Sequence, residues 1–358
     1  MPSVFDQKTK VTEMKVFYSD IQTKHDPQMF LVSGAPQPSP EQPERATRLL
    51  ASAKAAGLTE EAPKDFGVGP IARVHTPEYI AFLSGIYERW QRIEGASPEV
   101  IPNIHPDRRD GAYPASAVGQ AGYHQTDTAC PIGPHSWESI RWSANSAVAA
   151  AQAVAAGDRG VGDRGAYALC RPPGHHAFKD LAGGFCFVNN SGVAAAELRR
   201  THERVAILDV DLHHGNGTQG MFYDRNDVLT VSIHADPVRF YPFFWGHADE
   251  RGEGAGLGYN LNLPIPRGTE DANYMPVLEQ AIQRIDAFAP DALVIALGLD
   301  GFEGDPFGGL RISTEGFAKI GQRIGQMNLP TVLVQEGGYL CDDLGTNLER
   351  FLDGFANG

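Results

Sequence analysis

The segment Val205-Ala-Ile-Leu-Asp209-Val-Asp211-Leu-His213-His214-Gly215-Asn216-Gly217-Thr218 decides how this chain is read. Four apolar residues open it, as in a buried strand. Asp209, Asp211 and His213 then fall at alternating positions, and alternate side chains of an extended chain point the same way. Asp211 and His213 can therefore reach one metal ion from one strand end. The pattern predicts that Gly215 and Gly217 let the backbone turn sharply away. An apolar strand ending in an ordinary polar turn would begin the same way, but three polar groups in phase, followed by His-Gly-Asn-Gly, favour a site.

The same design recurs along the chain. Ala166–Cys170 reads as a strand followed by Arg171-Pro-Pro-Gly-His175-His176. Asp291–Leu297 is followed by Gly298-Leu-Asp300, and Thr331–Val334 by Gln335-Glu-Gly-Gly-Tyr339. Val228–His234 is a further strand. Helical patterns lie between them, at about 190–202, 272–288 and 314–327. Alternating strands and helices predict an α/β fold: a central parallel sheet with helices on both faces. In such sheets ligands collect beyond the carboxyl ends of the strands, where these polar residues sit.

Upstream, Lys15–Tyr18 reads as a first strand and residues 33–44 as a loop. A helix is expected over Ala46–Ala56, stopped by Gly57. Arg45, at its start, is either a surface charge or a buried anion-binding group. Thr76 and Pro77 mark the N-cap and first position of a helix running through Trp90. Residues 94–136 show no lasting period and are read as a functional loop or interface insertion. Ser139–Ala156 returns to a helical pattern. Residues 1–13 read as a loose extension, and residues 14–358 as a single domain.

Composition narrows the function. The chain has 358 residues and a formal net charge of -14, which argues against general affinity for nucleic acid phosphates and leaves room for cationic substrates. Cys130, Cys170, Cys186 and Cys341 lack zinc-knuckle or CxxC spacing and read as reduced, packed thiols of a cytoplasmic protein. Neither a signal peptide nor a membrane span is apparent.

Asp211, His213 and Asp300 make a first shell of two carboxylates and one imidazole. Three ligands with an open position suit catalytic zinc; iron(II) also fits such donors. His175 and His176 stand in tandem after a rigid Pro-Pro-Gly turn, which favours function over packing. Asp209 can orient one and Asn216 the other; the carboxylate favours a charged imidazole, the amide leaves its partner near neutrality. Tyr339 can donate to a developing oxyanion. Gly184, Phe185, Tyr241 and Phe243 either wall a channel or pack in the interior, and Tyr241-Pro-Phe-Phe-Trp245 is unusually apolar for a loop.

These motifs together resemble the histone deacetylase superfamily, within the arginase-deacetylase fold, and in pattern the bacterial acetylpolyamine amidohydrolases. The match runs from about Met14 to Gly354. It is carried by Arg171–His176, Gly183–Asn190, Asp209–Gly217, Gly298–Asp300, Asp305-Pro306 and Glu336–Tyr339. The resemblance implies a sheet of about eight strands and hydrolysis of an N-acetyl or short N-acyl amine. It implies zinc on Asp211, His213 and Asp300, His176 as general base and acid, His175 paired with Asp209 as electrostatic helper, and Tyr339 as carbonyl activator. It also implies a structural potassium ion near Asp209, Asp211, His213, Ser232 and Ile233, and a second near Phe222, Arg225 and Val228. Gly184, Phe185, Tyr241 and Phe307 would line the substrate tunnel, Arg45 would steer released acetate, and the 94–136 insertion would form a homodimer. One departure stands out. Phe30, Val118 and Ala129 occupy the positions where polyamine-type relatives carry glutamates, with Asp110 and Asp127 nearby. Hydrolysis of a neutral N-acyl amide therefore stands beside the polyamine reading, with acetyl-lysine on a protein as a further alternative.

Overall fold

The computed structural model describes residues 14–157 and 165–358. The expected extension at 1–13 lies outside the described residues. The strands are β1 (Lys15–Phe17), β2 (Met29–Val32), β3 (Ala35–Pro38), β4 (Thr59–Glu61), β5 (Gly165–Ala168), β6 (Val205–Asp209), β7 (Val228–Ala235), β8 (Asn260–Ile265), β9 (Ala292–Leu297) and β10 (Thr331–Gln335). Eight form one sheet in the order β4-β1-β5-β10-β9-β6-β7-β8. Every neighbouring pair in it is parallel.

Parallel strands covered on both faces need apolar residues in both phases, and these have them. Leu293, Ile295 and Leu297 of β9 join one core layer, and Ala292 and Val294 the other. The first layer is closed by α1 (Glu44–Ala55), α7 (Asp271–Phe288), α8 (Thr314–Gly325) and α9 (Leu344–Asn357) through Leu49, Leu278, Ile320 and Phe351. The second is closed by α2 (Pro77–Trp90), α4 (Ser136–Ala155) and α5 (Asn190–Leu198) through Phe82, Ala144 and Val193. Thr76 caps α2 as expected, its hydroxyl accepting from the Tyr79 amide at 3.3 Å. All four cysteines are free. No helix among the described residues is long and apolar enough to cross a membrane.

Four expectations change. Residues 33–44 are not all loop: β2 and β3 form an antiparallel hairpin across Ser33-Gly34, both with positive φ (50° and 82°). That mirror-image turn matches the twist of paired strands. Residues 94–136 are not one irregular insertion either. Val100 and Ile132 exchange backbone hydrogen bonds of 2.9 and 3.2 Å, closing it at its base, and α3 (Ala117–His124) lies within it. Ser116 caps α3, whose small residues conceal the helical period. Helix α4 begins at Ser136, three residues before the sequence pattern suggests. Gly215 and Gly217 do not turn the chain on positive φ; the chain enters α6 (Asn216–Phe222) directly. A Cβ on Gly217 would lie 2.4 Å from the His176 and Ala177 carbonyl carbons, so this glycine permits close approach to the histidine loop.

One buried histidine ties α2 to that loop. His75 Nδ1–H donates to the Lys179 carbonyl at 3.2 Å, and its Nε2 accepts from the Asn189 amide at 3.0 Å. A proton on Nε2 would face an N–H, so the fold holds the neutral ring. Burial lowers its pKa from 6.5 to about 4, although the Lys179 and Phe178 carbonyls and Asp180 pull the other way. The unfolded chain therefore takes up this proton first as pH falls. The stability His75 contributes is full above pH 6.5 and is lost between 6.5 and about 4, by roughly 3 kcal/mol at full extent. Urea unfolding at pH 7.5 and 5 should show a larger loss for the parent than for His75→Gln; equal losses would refute the assignment.

Candidate active site

Five strand ends converge. Beyond β6, Asp211 and His213 face Asp300 from the β9 loop, all three buried. His213 Nδ1 lies 3.3 Å from Asp211 Oδ1 and 3.0 Å from Asp300 Oδ2. The ligand atoms of the three residues fall within 4.8 Å of one another. Each carboxylate is also fixed by backbone donors: Asp211 accepts from the His213 and Gly337 amides, each at 2.8 Å, and Asp300 from the Leu212 amide at 3.0 Å. Gly298 makes the approach possible, since its Cβ would sit 2.2 Å from Asp211 Oδ2. Among the described residues, the ion-pair partners of these two acids are histidines alone. Two buried anions and an imidazole converging without a Lys or Arg partner fit a divalent cation of the zinc type.

His175 and His176 stand beside this cluster, their ring centroids 4.0 Å apart. His175 Nδ1–H donates to Asp209 Oδ2 at 2.9 Å. Burial would lower its pKa, but Asp211 and Asp209 outweigh this and hold it near 10. His176 Nδ1–H donates to Asn216 Oδ1 at 2.7 Å, which leaves its Nε2 lone pair open. Burial, with the neighbouring charges on His175 and His213, pushes the His176 pKa well below 6.5. The two rings thus carry opposite preferences, one cationic and one neutral.

Tyr339 closes the other side. Its amide donates to Asp305 Oδ2 at 3.0 Å, and the Arg45 guanidinium lies 4.7 Å from its ring centre. Burial holds its phenol well above the usual value of 10, so the hydroxyl remains a proton donor. Arg45 is the buried alternative, not the surface one. It donates to the Gly338 carbonyl at 2.6 Å, the Glu336 carbonyl at 2.7 Å and Glu41 Oε1 at 2.6 Å. The anion it meets is the chain's own Glu41, which also pairs with Arg171 at 3.0 Å.

Aromatic rings gather beside this cluster. Phe185 lies 5.6 Å from Phe30, 6.4 Å from Phe307 and 5.8 Å from Tyr339. Tyr241 meets His176 edge-on at 4.9 Å. Phe307, partly buried, lies 5.3 Å from His213 and 4.7 Å from Tyr339. Gly184 is wedged between His176 and Tyr241; its Cβ would lie 2.4 Å from His176 Cδ2. Phe243 and Phe244 remain exposed. Of the residues in question for ammonium recognition, Val118 lies on α3 packed against the core, and Asp110 pairs with Arg108 at 3.5 Å. The expected potassium ligands Asp209 and Ser232 are register partners on β6 and β7, Ile233 follows in the strand, and Asp211 and His213 follow β6. Phe222 and Arg225 join in a turn before Val228 opens β7.

Sequence reasoning missed several supports. Glu336 is the main one: Oε2 accepts from the Gly174 and His175 amides at 2.6 and 3.0 Å, and Oε1 from Ser191 at 2.7 Å. Its carboxylate joins the histidine loop to the Tyr339 loop. Burial pushes its pKa up to about 7, against the opposing pull of His175 and these donors. Asp305 and Asp127 were visible only as motif or neighbour residues. Phe240, stacked on His213 at 5.0 Å, carried no signal beyond its apolar loop.

The arrangement matches known proteins. A histone deacetylase domain model matches residues 39–355. An acetylpolyamine amidohydrolase of Burkholderia pseudomallei is 46% identical over 344 residues, covering 96% of this chain and 99% of the relative. One from Mycoplana ramosa is 38% identical, covering 96% and 100%. The crystal structure of acetylpolyamine aminohydrolase from Burkholderia pseudomallei superposes with a TM-score of 0.91 at 45% identity, covering 96% of this chain and 98% of the other. The HDA15 HD domain superposes with a TM-score of 0.76 at 26% identity, covering 94% and 89%. The eight-stranded sheet is therefore the arginase-deacetylase architecture, and the chain belongs to the histone deacetylase family.

Proposed function

We propose that this chain is a zinc-dependent amidohydrolase that removes an acetyl or short acyl group from a small amine, acetylpolyamines included. The observation that carries the reading is the pairing of the Asp211, His213 and Asp300 cluster with an imidazole whose open Nε2 stands beside it. Asp211, His213 and Asp300 would hold the metal, zinc or alternatively iron(II), which supplies Lewis acidity when bound. Tyr339 donates its hydroxyl proton in a hydrogen bond to the acyl oxygen as negative charge develops there. His176 Nε2 takes a proton from the attacking water and returns it to the amine nitrogen as the C–N bond breaks. His175, bonded to Asp209, presents positive charge beside the cluster. Arg45, against the Tyr339 ring and paired with Glu41, would steer the released carboxylate.

The names of the relatives support an acylated small amine as substrate. Phe30 on Phe185 gives the entrance an apolar wall and supports a neutral N-acyl amide as the second reading. Potassium beside Asp209 and Ser232, a homodimer through 94–136 and a cytoplasmic setting complete the proposal; light scattering should return about twice 38.7 kDa.

The decisive experiment is amine release from a panel of N-acetyl diamines, acetyl-lysine peptides and neutral N-acyl amines. No turnover by zinc-loaded protein would sink the proposal. Tyr339→Phe should lower kcat by about 10²–10³-fold with KM little changed. His176→Ala should lower kcat by about 10²–10⁴-fold while bound zinc stays stoichiometric. Asp300→Asn should instead lose zinc, measured by elemental analysis; a fully loaded variant would exclude Asp300 as a ligand.

A further inference from the structure

We propose that Phe240 orients the His213 imidazole toward its metal, a task that a hydrogen bond to the second ring nitrogen performs for most ligating histidines. The inference deepens the amidohydrolase reading and rests on its assignment of Asp211, His213 and Asp300 to one ion.

His213 turns Nδ1 to the acids, 3.3 Å from Asp211 Oδ1 and 3.0 Å from Asp300 Oδ2. The neighbouring base shows how a ring in this site is usually held: His176 keeps Nε2 open because Asn216 holds Nδ1 at 2.7 Å. His213 has no such tether. Its working nitrogen is Nδ1, and Nε2 has no hydrogen-bond partner among the described residues. An imidazole held at its working nitrogen alone can still turn about the Cβ–Cγ bond. What opposes the turn here is aromatic contact. Phe240 stacks on the ring, with centroids 5.0 Å apart and planes 12° from parallel. Phe307 meets it edge-on at 5.3 Å and 90°. Rotating the imidazole would drive its edge into the Phe240 face and break the stack.

Three strand ends build this contact. β7 ends at Ala235, the register partner of Ile265 at the end of β8. Asp236 then caps a short 3₁₀ turn, Pro237–Arg239, by accepting the Val238 amide at 3.0 Å, and the turn delivers Phe240. Beyond β8, the Arg267 guanidinium lies 5.1 Å from the Phe240 ring centre and donates to the Gly308 carbonyl at 3.2 Å. The Gly268 amide donates to the Gly309 carbonyl at 2.8 Å, which ties the β8 loop to the β9 loop. Phe240 is thus held by its own turn and by Arg267, and Phe307 stands on the loop that Arg267 grips. Packing alone would be served by any apolar side chain. A flat face laid nearly parallel on a ring without a second tether is what orientation requires.

The test reads metal retention rather than turnover. Zinc release from loaded protein is followed in excess chelator, and zinc affinity is measured by competition with a chromophoric chelator. The release rate is read from the loaded fraction, so it does not depend on how much of a variant has folded. Phe240→Leu keeps the apolar bulk and removes the flat face; it should release zinc about ten-fold faster and bind it about ten-fold more weakly. Phe240→Tyr keeps the face and should stay within about two-fold of the parent. Phe240→Leu matching the parent in both would overturn the proposal. Faster release balanced by faster uptake, with affinity unchanged, would also overturn it, because Phe240 would then guard the path to the ion and not the ligand's orientation. Equal losses in Phe240→Tyr and Phe240→Leu would overturn it too, since fit and not the face would be at work. A parent that retains no zinc refutes the ligand assignment and this proposal together. A parent that retains zinc yet hydrolyses no N-acyl amine refutes the amidohydrolase reading alone.

Discussion

Four acids are buried at adjoining strand ends, and the rest of the site follows from that constraint. Asp209, Asp211, Asp300 and Glu336 are withdrawn from water within a few residues of β6, β9 and β10. Each such group is costly to bury unless hydrogen bonds or opposite charge compensate it. The chain compensates with backbone amides: those of Asp211, Leu212, His213, Gly337, Gly174 and His175 all point at these oxygens. Amides can reach inward only if the loops are tight and close-packed. Hence Gly298 and Gly217, where a side chain would strike a carboxylate or the neighbouring backbone. The remaining charge is met by His175 and His213.

A second layer of charge stiffens these loops. Glu41 lies between Arg45 and Arg171, all three buried. Arg45 then grips the carbonyls of Glu336 and Gly338, while Arg171 grips those of Gln22, Glu41 and Gln42. Hydrogen bonds to charged groups contribute about 1.5–3 kcal/mol each. Truncating one member would also strand the others without water. The Tyr339 loop is glycine-rich in sequence yet held on several sides, so its hydroxyl is pre-positioned rather than free to swing.

What could be read from the sequence was what is local in it. Asp209, Asp211 and His213 announce themselves because their spacing is that of a strand, and the interior strands because both of their faces are apolar. Edge strands carry no such mark. β4 is Thr-Glu-Glu, wholly exposed, and is a strand only because β1 lies beside it. β8 buries Asn260 and Asn262, where an apolar pattern would look for Leu or Val. Helix α3 has Ala or Gly at four of its eight positions and hides its period. Glu336 meets its partners across more than 140 positions, and Asp127 meets Tyr241 across 114. No spacing rule reports contacts that tertiary packing alone creates. Arg45 was ambiguous for the same reason: a guanidinium at a helix start is usually a surface charge, and only the assembled Tyr339 loop gives it buried carbonyls to bind.

The order of the strands has a consequence for how the molecule is made. β10, the last strand in the chain, lies between β5 and β9 near the middle of the sheet. While the chain is emerging from the ribosome, β4-β1-β5 and β9-β6-β7-β8 can form only as two separate half-sheets, each with an unpaired edge. The final strand joins them, and the residues just past it bring Glu336 and Tyr339 to the cluster. A chain that stops short of that strand lacks both the join and Tyr339. The active site is therefore completed only once β10 and the residues through Tyr339 have joined the sheet.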